Sequence, residues 1–206
     1  MASKMGNGAS RLLEDDQEFC RIMRSVVGNS LVDIERCYIL YQLAKRCDRI
    51  WEGSDISFVE VGVYRGGTAR LLAEAIKSDR TLHLYDTFEG MPTVSVEDSF
   101  HKTGDFADTS IEAVAKLVAG FKIEFHKGRF PDTAGDLGNL CMVHVDVDIY
   151  ESVRDCIGYL WPKIIPGGVM IFDDYGFYTC DGAKKAVDRS GIPVIYLPTG
   201  QAMFIK

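Results

Sequence analysis

The chain has 206 residues, enough for one domain with a sizeable core that needs no disulfide or zinc staple. With 47% hydrophobic and 26% charged residues, it is excluded from collagen-like and bulk disordered classes. A net charge of -7 argues against nucleic acid or an anionic membrane surface as partner, since either requires a basic face.

Residues 1–10 (MASKMGNGAS) are small and polar and read as a disordered tail. They lack an apolar signal core, which points to the cytoplasm. Over 11–51 the sequence predicts two N-terminal helices, because apolar residues recur at helical spacing over 11–27 and 31–51. Gly28-Asn29 marks the break between them and Ser30 is the expected cap. From residue 52 to 206 strands and helices alternate. Strands are expected over 56–61, 81–85, 122–126, 142–145, 168–172, 193–197 and 202–205. Helices are expected over 68–77, 110–119, 150–161 and 182–190. The segment 87–109 is irregular. A loop that long inside a compact domain is more often functional than idle, and 89–108 is expected to be a lid that orders over bound ligands.

Alternating strands and helices predict an α/β fold: a doubly wound, mostly parallel seven-stranded sheet with helices on both faces. The last two strands are joined by Pro198-Thr199-Gly200-Gln201, a hairpin-like turn that makes the final strand antiparallel. Plain dinucleotide-binding sheets stay parallel, whereas the methyltransferase sheet ends this way. The most hydrophobic stretch, 157–172, is interrupted by Pro162, Lys163, Pro166, Gly167 and Gly168, so no membrane-spanning helix is expected. The six cysteines contain no C-x-x-C and read as buried free thiols. Neither they nor the four scattered histidines suggest a metal cluster.

In an open sheet of this kind ligands sit at the carboxyl ends of the strands. After the first strand the glycines fall at 62, 66 and 67, with Tyr64 between them. This is not G-x-G-x-x-G, which argues against an NAD-linked oxidoreductase. A glycine turn before a helix N-terminus still favours a carboxylate, such as that of S-adenosylmethionine. Asp86 ends the second strand, where an acidic residue commonly accepts from ribose hydroxyls. After the third strand Phe130 could lie against adenine or belong to the core. The fourth and fifth strands end in Asp146, Asp148, Asp173 and Asp174. Carboxylates that close repel unless a cation or protons compensate, and an all-oxygen donor set suits Mg²⁺.

Five segments carry a resemblance: 58–67 (FVEVGVYRGG), 85–92 (YDTFEGMP), 128–133 (GRFPDT), 145–152 (VDVDIYES) and 159–175 (YLWPKIIPGGVMIFDDY). Together they resemble the macrocin O-methyltransferase family, S-adenosylmethionine- and Mg²⁺-dependent enzymes that methylate sugar hydroxyls of natural products. The resemblance implies a Rossmann-like class I methyltransferase domain over 52–206. It implies that Glu60, Gly62, Tyr64, Gly66 and Thr68 line the methionine end of the cofactor. It implies further that Asp86 takes the ribose and that Gly128, Arg129 and Phe130 flank adenine. Asp146, Asp173 and Asp174 would be the Mg²⁺ ligands, with Asp148 pointing elsewhere. The acceptor would be a hydroxylated small molecule, and Asp146 or His101 the base that takes its proton. The segment before the first strand and the compact lid depart from that family. The N-terminal helices could pair two subunits into a homodimer or cap the site. A catechol-type O-methyltransferase and a cofactor-binding protein without catalysis are the competing readings.

Overall fold

The computed structural model describes residues 13–52 and 54–206, and the tail expected over 1–10 lies outside them. Residues 13–15 are helical, and after a break at Asp16, inside the helix expected over 11–27, come α1 (Gln17–Val26) and α2 (Ile34–Ile50), each capped by an aspartate. Asp16 accepts from Phe19 N at 3.0 Å and Asp33 from Arg36 N at 3.0 Å. Ser30 is not the cap; it accepts from Val32 N at 3.0 Å within the connecting turn. Asp33 takes the role because its carboxylate also complements the positive end of the helix.

The sheet then begins. In chain order follow β1 (Ser57–Val61), α3 (Gly67–Ala75), β2 (Leu82–Asp86), α4 (Ile111–Leu117), β3 (Ile123–Lys127) and β4 (Leu140–Val145). After these come α5 (Tyr150–Leu160), β5 (Ile164–Phe172), α6 (Asp181–Arg189), β6 (Ile195–Tyr196) and β7 (Ala202–Ile205). The seven strands lie in the order β3-β2-β1-β4-β5-β7-β6. Neighbours from β3 to β5 are parallel, and β7 runs antiparallel to both β5 and β6. The expected sheet and its antiparallel ending are therefore present. β5 is longer than its sequence pattern suggests, because it starts before the Pro166-Gly167-Gly168 interruption. The register against β4 jumps there, from Leu140 opposite Ile164 to Met142 opposite Val169. Gly168 allows the bulge, since a Cβ on it would lie 2.9 Å from the Cys141 carbonyl.

β4 is buried along its whole length, as a central parallel strand must be when helices cover both faces. On one face Phe19, Leu40, Phe58, Leu71 and Leu84 share a core formed by α1 to α4. On the other, Val59, Val143, Val153, Leu160 and Ala183 pack beneath α5 and α6. No helix among the described residues is long and apolar enough to cross a membrane. The winding reverses between β1 and β4: β2 and β3 lie to one side, β4 and β5 to the other. Open α/β sheets bind ligands in the crevice at such a point.

Candidate active site

A cavity of about 410 Å³ opens at that reversal, within the usual size of small-molecule sites. Its walls come from the turn before α2, the segments after β1, β2, β3, β4 and β5, and the loop 89–108. The expected residues Gly62, Tyr64, Thr68, Asp86, His101, Gly128, Arg129, Phe130, Asp146, Asp173 and Asp174 all line it. Glu60 and Gly66 do not.

The turn after β1 is shaped by its backbone. Gly62, Tyr64 and Gly66 all have positive φ, and Gly66 is the left-handed N-cap of α3. A Cβ on Gly62 would lie 1.7 Å from the Asp146 carbonyl, so the glycine lets the ends of β1 and β4 close together. Gly66 instead makes room for Val114, whose Cγ1 would be 2.8 Å from its Cβ. Asp86 fastens the turn. Its Oδ2 accepts from Val63 N at 2.7 Å and Tyr64 N at 2.8 Å, and its Oδ1 from Phe88 N at 2.7 Å. Phe130 belongs to the core, as one of the two sequence alternatives had it. It is buried edge-to-face against Tyr85 and Tyr159, at 5.1 and 5.5 Å, and also forms cavity wall.

The carboxylates of Asp146, Asp173 and Asp174 bring one oxygen each within 4.8 Å of the others. Burial, then the neighbouring carboxylates, pushes Asp146 and Asp174 well above the usual carboxylate range. Asp173 differs: burial works to raise it, but His144, Arg36 and Gln201 together hold it low. Arg36 from α2 forms an ion pair with Asp173 Oδ2, and Gln201 Nε2 donates to Oδ1 at 2.9 Å. Three hard oxygen donors, two of them pushed up by burial and by neighbouring carboxylates, fit a divalent cation such as Mg²⁺.

Glu60 stands behind this cluster. It is fully buried and accepts from His144 Nδ1 at 2.9 Å, while His144 Nε2 lies 3.7 Å from Asp173 Oδ1. The two carboxylates outweigh burial and push His144 up to about 10. Glu60 thus reaches the site only through an imidazole. Nothing in the spacing of Arg36, His144 or Gln201 marked them, because each arrives from a different element. Asp148, expected to point elsewhere than the metal ligands, stands at positive φ on the cavity wall with its carboxylate grouped with His101 and Cys180 instead of with Asp146, Asp173 and Asp174. Its Oδ1 is 3.7 Å from His101 Nε2 and 3.6 Å from Cys180 Sγ. His101 Nδ1 lies 3.6 Å from Asp105 Oδ2, which places the ring between two carboxylates.

The sequence model of Macrocin-O-methyltransferase (TylF) matches residues 24–190. The chain is 32% identical over 181 residues to demethyldecarbamoylnovobiocin O-methyltransferase of Streptomyces niveus, covering 79% of this chain and 67% of that one. It is 29% identical over 160 residues to 8-demethyl-8-(2,3-dimethoxy-alpha-L-rhamnosyl)-tetracenomycin-C 4'-O-methyltransferase of Streptomyces olivaceus, covering 68% of this chain and 61% of that one. It therefore spans roughly two thirds of the length of these relatives. Among solved structures, the O-methyltransferase NovP superposes with a TM-score of 0.74 at 27% identity, over 86% of this chain and 82% of that one. Sheet order, the carboxylates at its strand ends and this match across most of the sequence converge: the chain belongs to the macrocin-O-methyltransferase family of class I O-methyltransferases.

Proposed function

We propose that the protein methylates a hydroxyl of a sugar or similar polyhydroxylated small molecule, using S-adenosylmethionine, with Mg²⁺ as a second cofactor. One observation carries this reading. A single cavity joins the glycine turn after β1 to the carboxylates after β4 and β5. Gly62, Tyr64 and Thr68, beside the N-terminus of α3, would hold the methionine end of the cofactor. Asp86 would take the ribose, and Gly128, Arg129 and Phe130 would flank the adenine. Asp146, Asp173 and Asp174 would hold Mg²⁺. The sulfonium supplies an electrophilic methyl group, and the cation supplies a Lewis acid that favours the deprotonated hydroxyl.

The chain's own residues do the rest. Arg36 and Gln201 fix the orientation of Asp173. His101 Nε2 takes the acceptor proton, and Asp148 and Asp105, on opposite sides of its ring, hold the ring in place. His101 suits the role better than Asp146, whose oxygens belong to the cation cluster. The lid residues Met91, Pro92, Phe100 and Phe106 keep water from the reacting atoms. The turn before α2 forms cavity wall through Asn29, Ser30 and Leu31, which supports a capping role for the N-terminal helices rather than subunit pairing.

The test is an acceptor screen read by release of S-adenosylhomocysteine. Turnover on a glycosylated or free-sugar acceptor is expected, abolished by EDTA and restored by Mg²⁺. Asp174→Asn should lower turnover by about 100-fold while calorimetry still shows cofactor binding. Full turnover in EDTA would remove the cation from the reaction. Turnover on catechols alone would move the acceptor class.

A further inference from the structure

Behind the cavity wall, on the face of the sheet beneath α5, the ladder between β2 and β3 gathers three side chains. Tyr85 pairs with His126 and His83 with Glu124, so His83, Glu124 and His126 all project to one face. His83 Nδ1 and His126 Nε2 lie 3.1 Å apart. Glu124 brings Oε2 to 3.6 Å from His83 Nδ1 and Oε1 to 3.7 Å from His126 Nε2. The sequence positions 83, 124 and 126 gave no sign of a cluster; parallel pairing of two distant strands creates it.

We infer that His83, Glu124 and His126 form a second cation site, selective for Zn²⁺ or a similar borderline divalent ion. The geometry supports this in three ways. First, a tetrahedral ion with bonds of about 2.0–2.2 Å to nitrogen and oxygen needs ligand atoms about 3.3–3.5 Å apart. The ring nitrogens stand 3.1 Å apart and each has a different Glu124 oxygen at 3.6 or 3.7 Å, close to that spacing, and one ligand atom from each of the three residues lies within 4.8 Å of the others. Second, the hydrogen bond between the two rings accounts for two of the three side chains, but the carboxylate lies beyond hydrogen-bond range of both rings and is left without such a partner in the cluster. Third, all three ligands stand on paired strands rather than loops, which preorganises them.

Donor chemistry separates the two sites. Two imidazoles and one carboxylate suit Zn²⁺, whereas the all-oxygen triad after β4 and β5 suits Mg²⁺. Neither His83 nor His126 lines the cavity, so the ion would have a structural role. It would clip the edge strand β3 to β2. It would also brace Tyr85, which stacks on His126 at 4.2 Å and forms part of the cavity wall.

The test uses the whole protein, stripped of metal and held in excess Mg²⁺, titrated with Zn²⁺ by calorimetry. Wild type should bind one Zn²⁺ equivalent that His126→Ala loses and that Glu124→Gln weakens about tenfold or more. Glu124 is exposed, so its variant separates lost coordination from lost folding. His101→Ala serves as the control, because His101, Asp148 and Cys180 form another candidate group. Retention of the equivalent in His101→Ala, with loss in His126→Ala, supports the site. Co²⁺ in place of Zn²⁺ should give visible bands without the sulfur charge-transfer absorption that Cys180 ligation would add. Zn²⁺ binding unchanged by both His126→Ala and Glu124→Gln, or lost in His101→Ala alone, overturns it.

Discussion

Asp86 shows how much a single side chain can hold. A carboxylate offers about four acceptor directions, and three are taken by the N–H groups of Val63, Tyr64 and Phe88. The fourth contact, from Thr87 Oγ1 at 3.5 Å, is long, and a ribose hydroxyl would take its place. Removing the side chain should therefore do two things at once. Asp86→Ala is expected to lose about 1–3 kcal/mol of stability as N–H groups lose their partner, and to weaken S-adenosylmethionine binding as well. Asp86→Asn should fare little better, because both oxygens accept and an amide must turn its NH₂ toward a donor. Thermal denaturation with and without cofactor, alongside calorimetry, checks both effects. An unchanged melting temperature in both variants would show that the turn stands without Asp86. The position of Asp86 was legible from its strand and its distance from Gly62. Its local partners were not, because they depend on Tyr64 and Phe88 adopting positive φ, a conformation that neither residue type advertises.

At the scale of elements, the loop 89–108 reads in sequence as a free lid, yet the structure builds its tip into two helices. Helix α5 starts after Ile149, which has no side chain able to cap it. Asp98 from the lid does so instead, accepting from Tyr150 N at 2.8 Å. Gly182 on α6 leaves room for this: a Cβ there would lie 1.7 Å from Asp98 Oδ1. Asp181 accepts from Ser99 N at 3.2 Å, and Lys185 donates to the Glu97 carbonyl at 2.7 Å. Sequence reasoning found the loop by its length and its Gly and Pro content. It could not find the anchor, because a cap supplied from fifty residues away leaves no local signature. Asp98→Ala should cost about 1 kcal/mol, the scale of a lost helix cap. Hydrogen exchange should speed up across 89–108 and at the first turn of α5, and turnover should fall as water enters. Unchanged exchange in those two segments would mean that Asp98 does not secure the lid.

Over the whole molecule, alternation of strands and helices was enough to predict the sheet and its antiparallel ending. The boundary near residue 51 came from the change of period, and a linear pattern does not show which segments share a core. In the fold, α1 and α2 are not a separate layer. Phe19 and Leu40 pack with Phe58 and Leu84, and Asp48 near the end of α2 accepts from Lys77 N and Ser78 N at 2.9 and 3.2 Å. Glu18 on α1 joins Lys45 on α2 and Lys77 beyond α3, each at 2.9 Å. We therefore propose that residues 13–51 unfold with the sheet rather than before it. The chain carries its own reporters. Its two tryptophans sit on opposite faces, Trp51 against the core under α1 to α4 and Trp161 against the core under α5 and α6. Trp161→Phe leaves Trp51 as the probe of the first face, and Trp51→Phe leaves Trp161 as the probe of the second. In urea, each variant should give a fluorescence midpoint that coincides with its own far-UV circular dichroism midpoint, since one sheet backs both cores. An earlier Trp51 transition, with Trp161 following the loss of the sheet, would instead make the N-terminal helices an independent unit docked on the methyltransferase domain.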